Sequence, residues 1–297
     1  MKSALVTGAN GFTGRYVVRA LAARGCEVHA LVHRSAPPPE GAAQSHVCDI
    51  ADSDAVAHVL EEVRPDYVVH LAAIAFVAHG NVEEMYRTNI LGTRALLEAL
   101  LRREPPEAVV LASSANIYGN ACSGVIDESI RPAPANDYGV TKVTTEYLAG
   151  VHAGRLPLII TRPFNYTGVG QSANYIIPKI VDHVRRREPK IELGNLDVER
   201  DFSDVRAVAE IYVRLLEAPE AVGGVFNVCS GRAVSLRRML NIITGLADHE
   251  MTIEVNPAFV RANEVRLLTG SRAKLESVIG PVDMPPIEET LRWMLEA

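Results

Sequence analysis

The chain has 297 residues and a mass of 32.2 kDa, with 48% hydrophobic and 22% charged residues. That balance excludes a disordered chain and leaves room for one large α/β domain with a smaller companion. The formal net charge of −6 excludes a general nucleic-acid surface, which needs clustered Lys and Arg, but not a small phosphorylated ligand, for which one or two local cations suffice.

The first half alternates short apolar runs with helical patterns. Ala4-Leu5-Val6 is a buried strand, and Tyr16 to Ala23 has apolar residues at helical spacing. Val28 to Val32 is a second strand, followed by the loop Pro37-Pro38-Pro39, and His46-Val47-Cys48 is a short third. A helix begins near Ser53 with carboxylates in its first turn. Tyr67 to Leu71 and Ala108 to Ala112 are strands flanking a long helical stretch from Val82 to Arg103. A helix from Asp137 to Val151 leads to the strand Leu158-Ile159-Ile160. Strands apolar on both faces, alternating with helices, predict a Rossmann-type doubly wound parallel sheet in the α/β class. Beyond Arg162-Pro163 the rhythm weakens. Tyr175 to Arg187, Val205 to Leu216 and Leu236 to Leu246 read as helices, and Ile191 to Leu193 and Val225 to Val228 as strands. The expected division is a dinucleotide-binding domain over 1–165, with a return of the chain near 200–232, and a smaller mixed α/β substrate domain over 166–297.

No uninterrupted apolar run is long enough to span a bilayer, and Met1-Lys2-Ser3 leads into a strand without a signal-peptide layout. Cys26, Cys48, Cys122 and Cys229 show no C-x-x-C pairing or metal-ligand spacing. A cytoplasmic protein with free thiols, no membrane partner and no metal is the expectation.

Thr7-Gly8-Ala9-Asn10-Gly11-Phe12-Thr13-Gly14 follows the first strand and opens the first helix. Glycines there let the backbone approach a diphosphate closely, and the helix N-terminus offers free N–H groups to it. The second strand ends Leu31-Val32-His33-Arg34 without a carboxylate. An acidic group at that place reads the free ribose hydroxyl of NAD, whereas Arg accommodates the phosphate of NADP. Arg34 therefore favours NADP(H), with NAD(H) possible; the alternative is a solvated strand-end cation. Asp49, after the third strand, is placed to meet the adenine edge or to cap a turn.

Tyr138 and Lys142 are four residues apart in a helix and so share a face. An ammonium beside a phenol stabilises phenolate and makes the phenol a better proton donor; it can also hold the nicotinamide ribose. Ser114 follows the strand ending at Ala112, at the carboxyl edge where such sheets bind ligands. A phosphate loop, a strand-end hydroxyl and a Tyr–Lys pair together point to proton-coupled hydride transfer. His70, at a strand end, reads as structural or as lining the cleft, and Arg185-Arg186-Arg187 as a solvated helix end.

Gly8/Gly11/Gly14, His70-Leu71-Ala72-Ala73, Ser113-Ser114-Ala115-Asn116-Ile117-Tyr118-Gly119 and Tyr138-x-x-x-Lys142 resemble the extended short-chain dehydrogenase/reductases over essentially the whole chain. The resemblance implies Ser114, Tyr138 and Lys142 as catalytic residues, and Asn10, Phe12, Asp49, Ile50, Leu71, Ala72 and Ala73 beside the cofactor with the glycines and Arg34. It also implies a homodimer built through paired helices. Within that family the segments 162–171, 194–205, 227–231 and 261–265 resemble reductases of GDP-4-keto-6-deoxy-D-mannose. That likeness implies a GDP-linked sugar, with Asn116, Asn165 and Gln171 near sugar and diphosphate, Arg200 and Arg261 on the diphosphate, and Glu264 on the guanine edge. Guanidinium forks match phosphate oxygens, and a carboxylate matches the guanine donors. Sugar 4,6-dehydratases of the family carry acidic residues shortly after the catalytic hydroxyl, where this chain has Ala115 and Asn116. Dehydration is therefore disfavoured, while simple reduction needs no carboxylate there. Asn116 also departs from the reductases, which often have Glu. The leading expectation is an NAD(P)H-dependent 4-ketoreductase of a nucleotide-diphosphate 4-keto-6-deoxyhexose. The alternatives are an NAD-dependent C4 epimerase of a UDP-sugar and a non-catalytic nucleotide sensor.

Overall fold

A computed structural model describes residues 1–76, 80–120, 123–259 and 265–297. The first strand β1 (Ser3–Thr7) is followed by α1 (Phe12–Ala23), β2 (Glu27–Val32), β3 (Gln44–Val47), α2 (Ser53–Val63) and β4 (Tyr67–His70). Next come α3 (Val82–Tyr86), a π-helical turn (Arg87–Leu91), α4 (Gly92–Leu101), β5 (Ala108–Ala112), β6 (Gly124–Ile126), α5 (Asp137–Val151) and β7 (Leu158–Pro163). The second half contains β8 (Asn165–Thr167), α6 (Ile176–Arg185), β9 (Lys190–Leu193), β10 (Glu199–Asp204), α7 (Val205–Leu216) and β11 (Val225–Val228). It closes with β12 (Ala233–Ser235), α8 (Leu236–Ala247), β13 (Thr252–Val255), β14 (Leu267–Gly270), α9 (Ala273–Ile279) and α10 (Ile287–Glu296).

The main sheet has the order β11-β7-β5-β4-β1-β2-β3, and every pairing in it is parallel. This is the doubly wound α/β fold expected from the sequence. The order reverses between β1 and β4, so a crevice opens beyond their carboxyl ends, where ligands bind in such sheets. Both faces are covered. Val17, Val18 and Leu21 of α1 pack with Val208, Ile211 and Tyr212 of α7 on one face, and Val56 and Leu60 of α2 with Leu96, Leu97 and Leu100 of α4 on the other. This is why the strands read as continuous apolar runs.

A smaller sheet of order β12-β10-β14-β6, with β8 on β10, lies over the carboxyl end of the main one. Its strands are short, β10 largely polar, and the sequence reading did not find β6, β8, β10, β12 or β14. Asp201 of β10, 0% exposed, holds this sheet to the loop after β11. Its carboxylate accepts from the Ser230 amide (2.7 Å) and hydroxyl (2.6 Å), the Gly231 amide (2.9 Å), the Thr269 hydroxyl (2.8 Å) and the Gly270 amide (3.3 Å). Beside it, Ile177 and Ile180 of α6, Met239 and Ile243 of α8 and Leu291 of α10 form a separate core.

Several element readings need adjustment: the first helix begins at Phe12 and the strand read to Leu71 ends at His70. The stretch from Val82 is helical to Leu101, but Arg87–Leu91 winds as a π-turn. The third strand covers Gln44–Val47, leaving Cys48 beyond it. The helix read from Tyr175 begins one residue later, with Tyr175 as its N-cap, and ends at Arg185.

Candidate active site

The glycine turn fits a diphosphate. Gly8 has φ +68, and a methyl group on it would lie 2.8 Å from the Ala72 amide nitrogen. A side chain on Gly14 would collide with the Gly8 carbonyl and Ala9. The first helix starts from Gly11 with no side-chain cap and no acidic residue in its first turn, so its leading N–H groups face outward unclaimed by a side chain. The close approach of Gly8 to β4 brings half-buried Leu71, Ala72 and Ala73 to the same rim as Asn10 and Phe12. Arg34 is exposed beyond β2 and holds no partner among the described residues. Asp49 accepts from the Ala51 amide at 2.9 Å and pairs with Arg87 at 2.8 Å. Burial acts to raise its carboxyl, but these two contacts hold it below the ordinary range. The turn role is thus visible for Asp49, and Ile50 is packed in the core beside Gly92.

Ser114, Tyr138 and Lys142 converge. Ser114 caps a 3₁₀ turn, and its Oγ accepts from the Asn116 amide and from Asn116 Nδ2, each at 3.1 Å. With its lone pairs engaged there, its proton is free to be donated, and the Tyr138 phenol lies close enough to feel the hydroxyl. The Lys142 ammonium donates to the Ala112 carbonyl at 2.7 Å and lies 5.8 Å from the centre of the Tyr138 ring. All three side chains are buried. Burial pushes the Tyr138 phenol upward, as do the nearby Tyr166 and Tyr175 phenols, while Ser114 opposes them. Burial also lowers the Lys142 ammonium to about 8, against the pull of Glu146. The expectation that Lys142 makes the phenol more acidic is therefore outweighed by desolvation in this state, and Tyr138 is held firmly protonated.

A polar chain absent from the sequence reading ties this group to the glycine turn. The Leu71 and Ala72 amides donate to Thr7 Oγ1 at 3.2 and 3.1 Å, and Thr7 Oγ1 meets His70 Nδ1 at 2.7 Å. His70 Nε2 meets Thr93 Oγ1 at 2.9 Å, and that hydroxyl donates to the Asn89 carbonyl at 2.6 Å. Since Thr93 spends its only proton on the carbonyl, Nε2 must be the protonated nitrogen and Nδ1 the acceptor. Asn89, on the π-turn, takes the Ile74 amide at 2.8 Å and gives to the Ile74 carbonyl at 3.1 Å and Thr141 Oγ1 at 3.0 Å. Thr141 donates to the Tyr138 carbonyl at 2.7 Å. A π-turn on a helix beside a site is a common way to aim one side chain, here Asn89.

His70 is 3% exposed and kept neutral: burial, with the Lys142 charge adding, lowers its pKa to about 3. The unfolded chain takes up a proton below about pH 6.5 that the folded one refuses, so stability present above that pH is lost as pH falls. The expected loss from this residue is about 2–3 kcal/mol by pH 4.5. Urea melts of the wild type and His70→Gln at pH 7 and 4.5 check it, the variant showing the smaller pH dependence.

On the substrate side, Asn165 is exposed on β8 and donates to the Asp201 carbonyl at 3.2 Å. Gln171 is taken up within its own loop, by Thr167 Oγ1 at 2.8 Å and the Tyr166 carbonyl at 3.2 Å. Arg200 is half-buried and donates to the Glu199 carbonyl at 2.9 Å. Arg261 and Glu264 lie outside the described residues, as does Cys122. Two contacts missed in the sequence join the first two turns of α1 to this side: Thr13 Oγ1 with the Tyr166 hydroxyl at 2.8 Å, and the Tyr16 hydroxyl donating to the Val169 carbonyl at 2.7 Å. Phe12 stacks on Tyr166, centroids 6.0 Å apart. Arg185, Arg186 and Arg187 are exposed at the end of α6, as expected of a solvated helix end. Among the described residues no group of three or more His, Cys, Asp or Glu is arranged to hold a metal, and no helix is long and apolar enough to cross a membrane.

A doubly wound sheet, an open glycine turn at its switch point and a serine, tyrosine and lysine converging at the same edge define an enzyme of the NAD(P)-dependent oxidoreductase class. Residues 4–229 match the family model described as the NAD dependent epimerase/dehydratase family, and the chain belongs to that family. It is 32% identical over 277 residues to a GDP-6-deoxy-D-talose 4-dehydrogenase of Aggregatibacter actinomycetemcomitans, covering 93% of this chain and 90% of that one. It is 33% identical over 302 residues to a GDP-6-deoxy-D-mannose reductase of Pseudomonas aeruginosa, covering 98% and 95%. Among solved structures, RMD from Pseudomonas aeruginosa complexed with NADPH superposes with a TM-score of 0.85 at 30% identity, covering 100% of this chain and 97% of that one. A Burkholderia cenocepacia J2315 protein, provisionally assigned as an epimerase, superposes with a TM-score of 0.93 at 48% identity, covering 99% and 97%.

Proposed function

We propose that this protein reduces the C4 carbonyl of a nucleotide-diphosphate 4-keto-6-deoxyhexose, GDP-linked, with NADPH. The observation that carries the reading is the Ser114–Tyr138–Lys142 group followed by Ala115 and Asn116, a proton donor without the acid and base that elimination of water requires. Its likeness to two GDP-deoxysugar oxidoreductases supports the GDP-linked substrate.

Ser114 and Tyr138 hydrogen-bond the carbonyl oxygen, and Tyr138 gives it the proton as charge develops there. Lys142 holds the ribose next to the nicotinamide, and its positive charge favours the tyrosinate left behind. The glycine turn would hold the dinucleotide's diphosphate, and the reduced cofactor would supply the hydride. Asn116 orients Ser114 through the two bonds to its oxygen. Asn165, Gln171, Arg200, Arg261 and Glu264 remain the proposed sugar and nucleotide contacts.

The decisive experiment incubates the protein with NADPH and a panel of GDP-, dTDP- and UDP-linked 4-keto-6-deoxysugars, with products read by NMR. Turnover of the GDP-linked sugar alone is the expected result. The rival reading, a UDP-sugar C4 epimerase, uses the same three side chains and requires tightly kept NAD⁺. It is supported by the assignment of the 48% identical structural relative. Interconversion of UDP-sugars without added cofactor would overturn the reductase reading.

Preference for NADPH is proposed to rest on Arg34, exposed where an NAD-selective site has a carboxylate. Arg34→Ala should weaken NADPH about 10- to 100-fold and leave NADH nearly unchanged, the size of one charge-assisted hydrogen bond. Titration of both cofactors by fluorescence checks it. We further propose a homodimer through α5, whose outer face shows Val140, Tyr147 and Val151 to solvent, Tyr147 at 72% exposure. Sedimentation velocity of the intact chain decides it.

A further inference from the structure

Below the catalytic group, on the same face of α5, lies a charge that the proposed reaction does not use. Glu146 is one turn beyond Lys142 and two beyond Tyr138. It does not ion-pair with Lys142. Its Oε1 accepts from Ser113 Oγ at 2.6 Å and Arg162 Nε at 2.9 Å, and its Oε2 from Arg162 Nη2 at 2.7 Å. Arg162 is 6% exposed and also donates to the Tyr118 hydroxyl at 3.0 Å. That hydroxyl donates to Asn227 Oδ1 at 2.7 Å. One carboxylate thus joins α5 to the end of β5 through Ser113 and to β7 through Arg162. A depression of about 590 Å³, on the edge of the sheet opposite the glycine turn, reaches Glu146 between Ala149, Pro157 and Gly223.

A buried ion pair is a weak source of net stability, since desolvation offsets most of the attraction. This one is placed where its geometry bears on chemistry. Ser113 is the residue before Ser114, so tying its side chain to α5 ties the backbone that carries Ser114 to the helix that carries Tyr138 and Lys142. The arrangement also sets the field at Lys142. Facing that ammonium are Tyr138 and Glu146 from its own helix and His70 from β4, with Arg162 of β7 behind Glu146. Glu146 is the nearby anion, and because Arg162 holds it, it favours the ammonium without capturing it. Two of the three Lys142 N–H groups stay available, the third being on the Ala112 carbonyl.

We propose that Glu146 is a positioning residue for the Tyr138–Lys142 pair, fixing the end of β5 through Ser113 and keeping Lys142 charged while locked onto Arg162. The proposal rests on the catalytic reading above, and its test separates the two.

The charge arm is read without substrate or cofactor, by ¹³C-lysine NMR titration of the apo protein. The chain's lysines are Lys2, Lys142, Lys179, Lys190 and Lys274, and Lys142→Arg identifies the signal. In Glu146→Gln, Lys142 should titrate about one pH unit lower than in the wild type, since an anion is lost and a cation left behind. The alkaline limb of kcat/KM for NADPH-dependent reduction of GDP-4-keto-6-deoxy-D-mannose should move with it. Ser113→Ala, which keeps the charge, should lower kcat without moving the titration. If the single variant does not fold, Glu146→Gln with Arg162→Gln strands no charge, and Lys142 should again titrate lower. A folded variant of either kind whose Lys142 titrates with the wild type overturns the proposal. Wild-type turnover by Tyr138→Phe would instead overturn the catalytic reading and leave the titration result standing.

Discussion

Tyr138→Phe should lower kcat for the GDP-linked keto sugar by about 100- to 10,000-fold, the range for removing a positioned general acid. The ring is buried, so the substitution keeps the packing and deletes the proposed proton donor. Binding of NADPH, read by fluorescence, should change little because the glycine turn and Lys142 are intact. The pH profile adds a second signature. Tyr138 is pushed upward by burial, and Lys142 is lowered to about 8. In the unliganded protein the first group to lose its proton on raising pH is therefore the lysine. Reduction should weaken above roughly pH 8 because Lys142 discharges, while Tyr138 remains protonated. An alkaline limb that disappears in Lys142→Arg, whose guanidinium stays charged, would identify the lysine as its source.

Asp201→Ala should be among the most destabilising single changes in the chain. Five donors converge on a carboxylate with 0% exposure, from two loop amides, one strand amide and two hydroxyls. Removing it leaves them without an acceptor in a place water does not reach, at a cost of about 3–5 kcal/mol. For a chain this long that corresponds to a melting temperature lower by roughly 10 °C. Asp201→Asn should be milder, since one oxygen remains, though its amide nitrogen faces donors. Thermal melts of both variants check the order. If Asp201→Ala melted with the wild type, the small sheet would be held by its apolar contacts alone.

How much of this was legible in the residues differs between the two halves. The main sheet was readable because its strands are buried on both faces, so that runs such as Val109–Leu111 and Leu158–Ile160 are continuously apolar. The 15 residues of α5 were readable to the residue, because Asn136 caps its start and Tyr138, Thr141, Lys142, Thr145 and Ala149 form its buried face. The small sheet was hidden. Glu199-Arg200-Asp201-Phe202-Ser203-Asp204 has the composition of a surface loop and becomes a strand only because partners distant in sequence pair with it. At the candidate site, Ser114, Tyr138, Lys142 and the glycines could be named from spacing, and the fold brings them to one rim. Thr7, Asn89, Thr141 and Glu146 could not, since each matters through a hydrogen bond to a residue far along the chain. The reading of Lys142 as the agent that acidifies Tyr138 left out the opposing effect of burial, which only coordinates reveal.

The contacts of Thr13 with Tyr166 and of Tyr16 with Val169 have a consequence for how the enzyme can be altered. Thr13 and Tyr16 lie in the first two turns of α1, whose leading amides adjoin the glycine turn. The loop proposed to face the sugar and the turn proposed to cradle the diphosphate are therefore tied through one helix. If the loop contacts the substrate as proposed, remodelling it should also shift dinucleotide affinity, so that changing one selectivity means re-optimising the other.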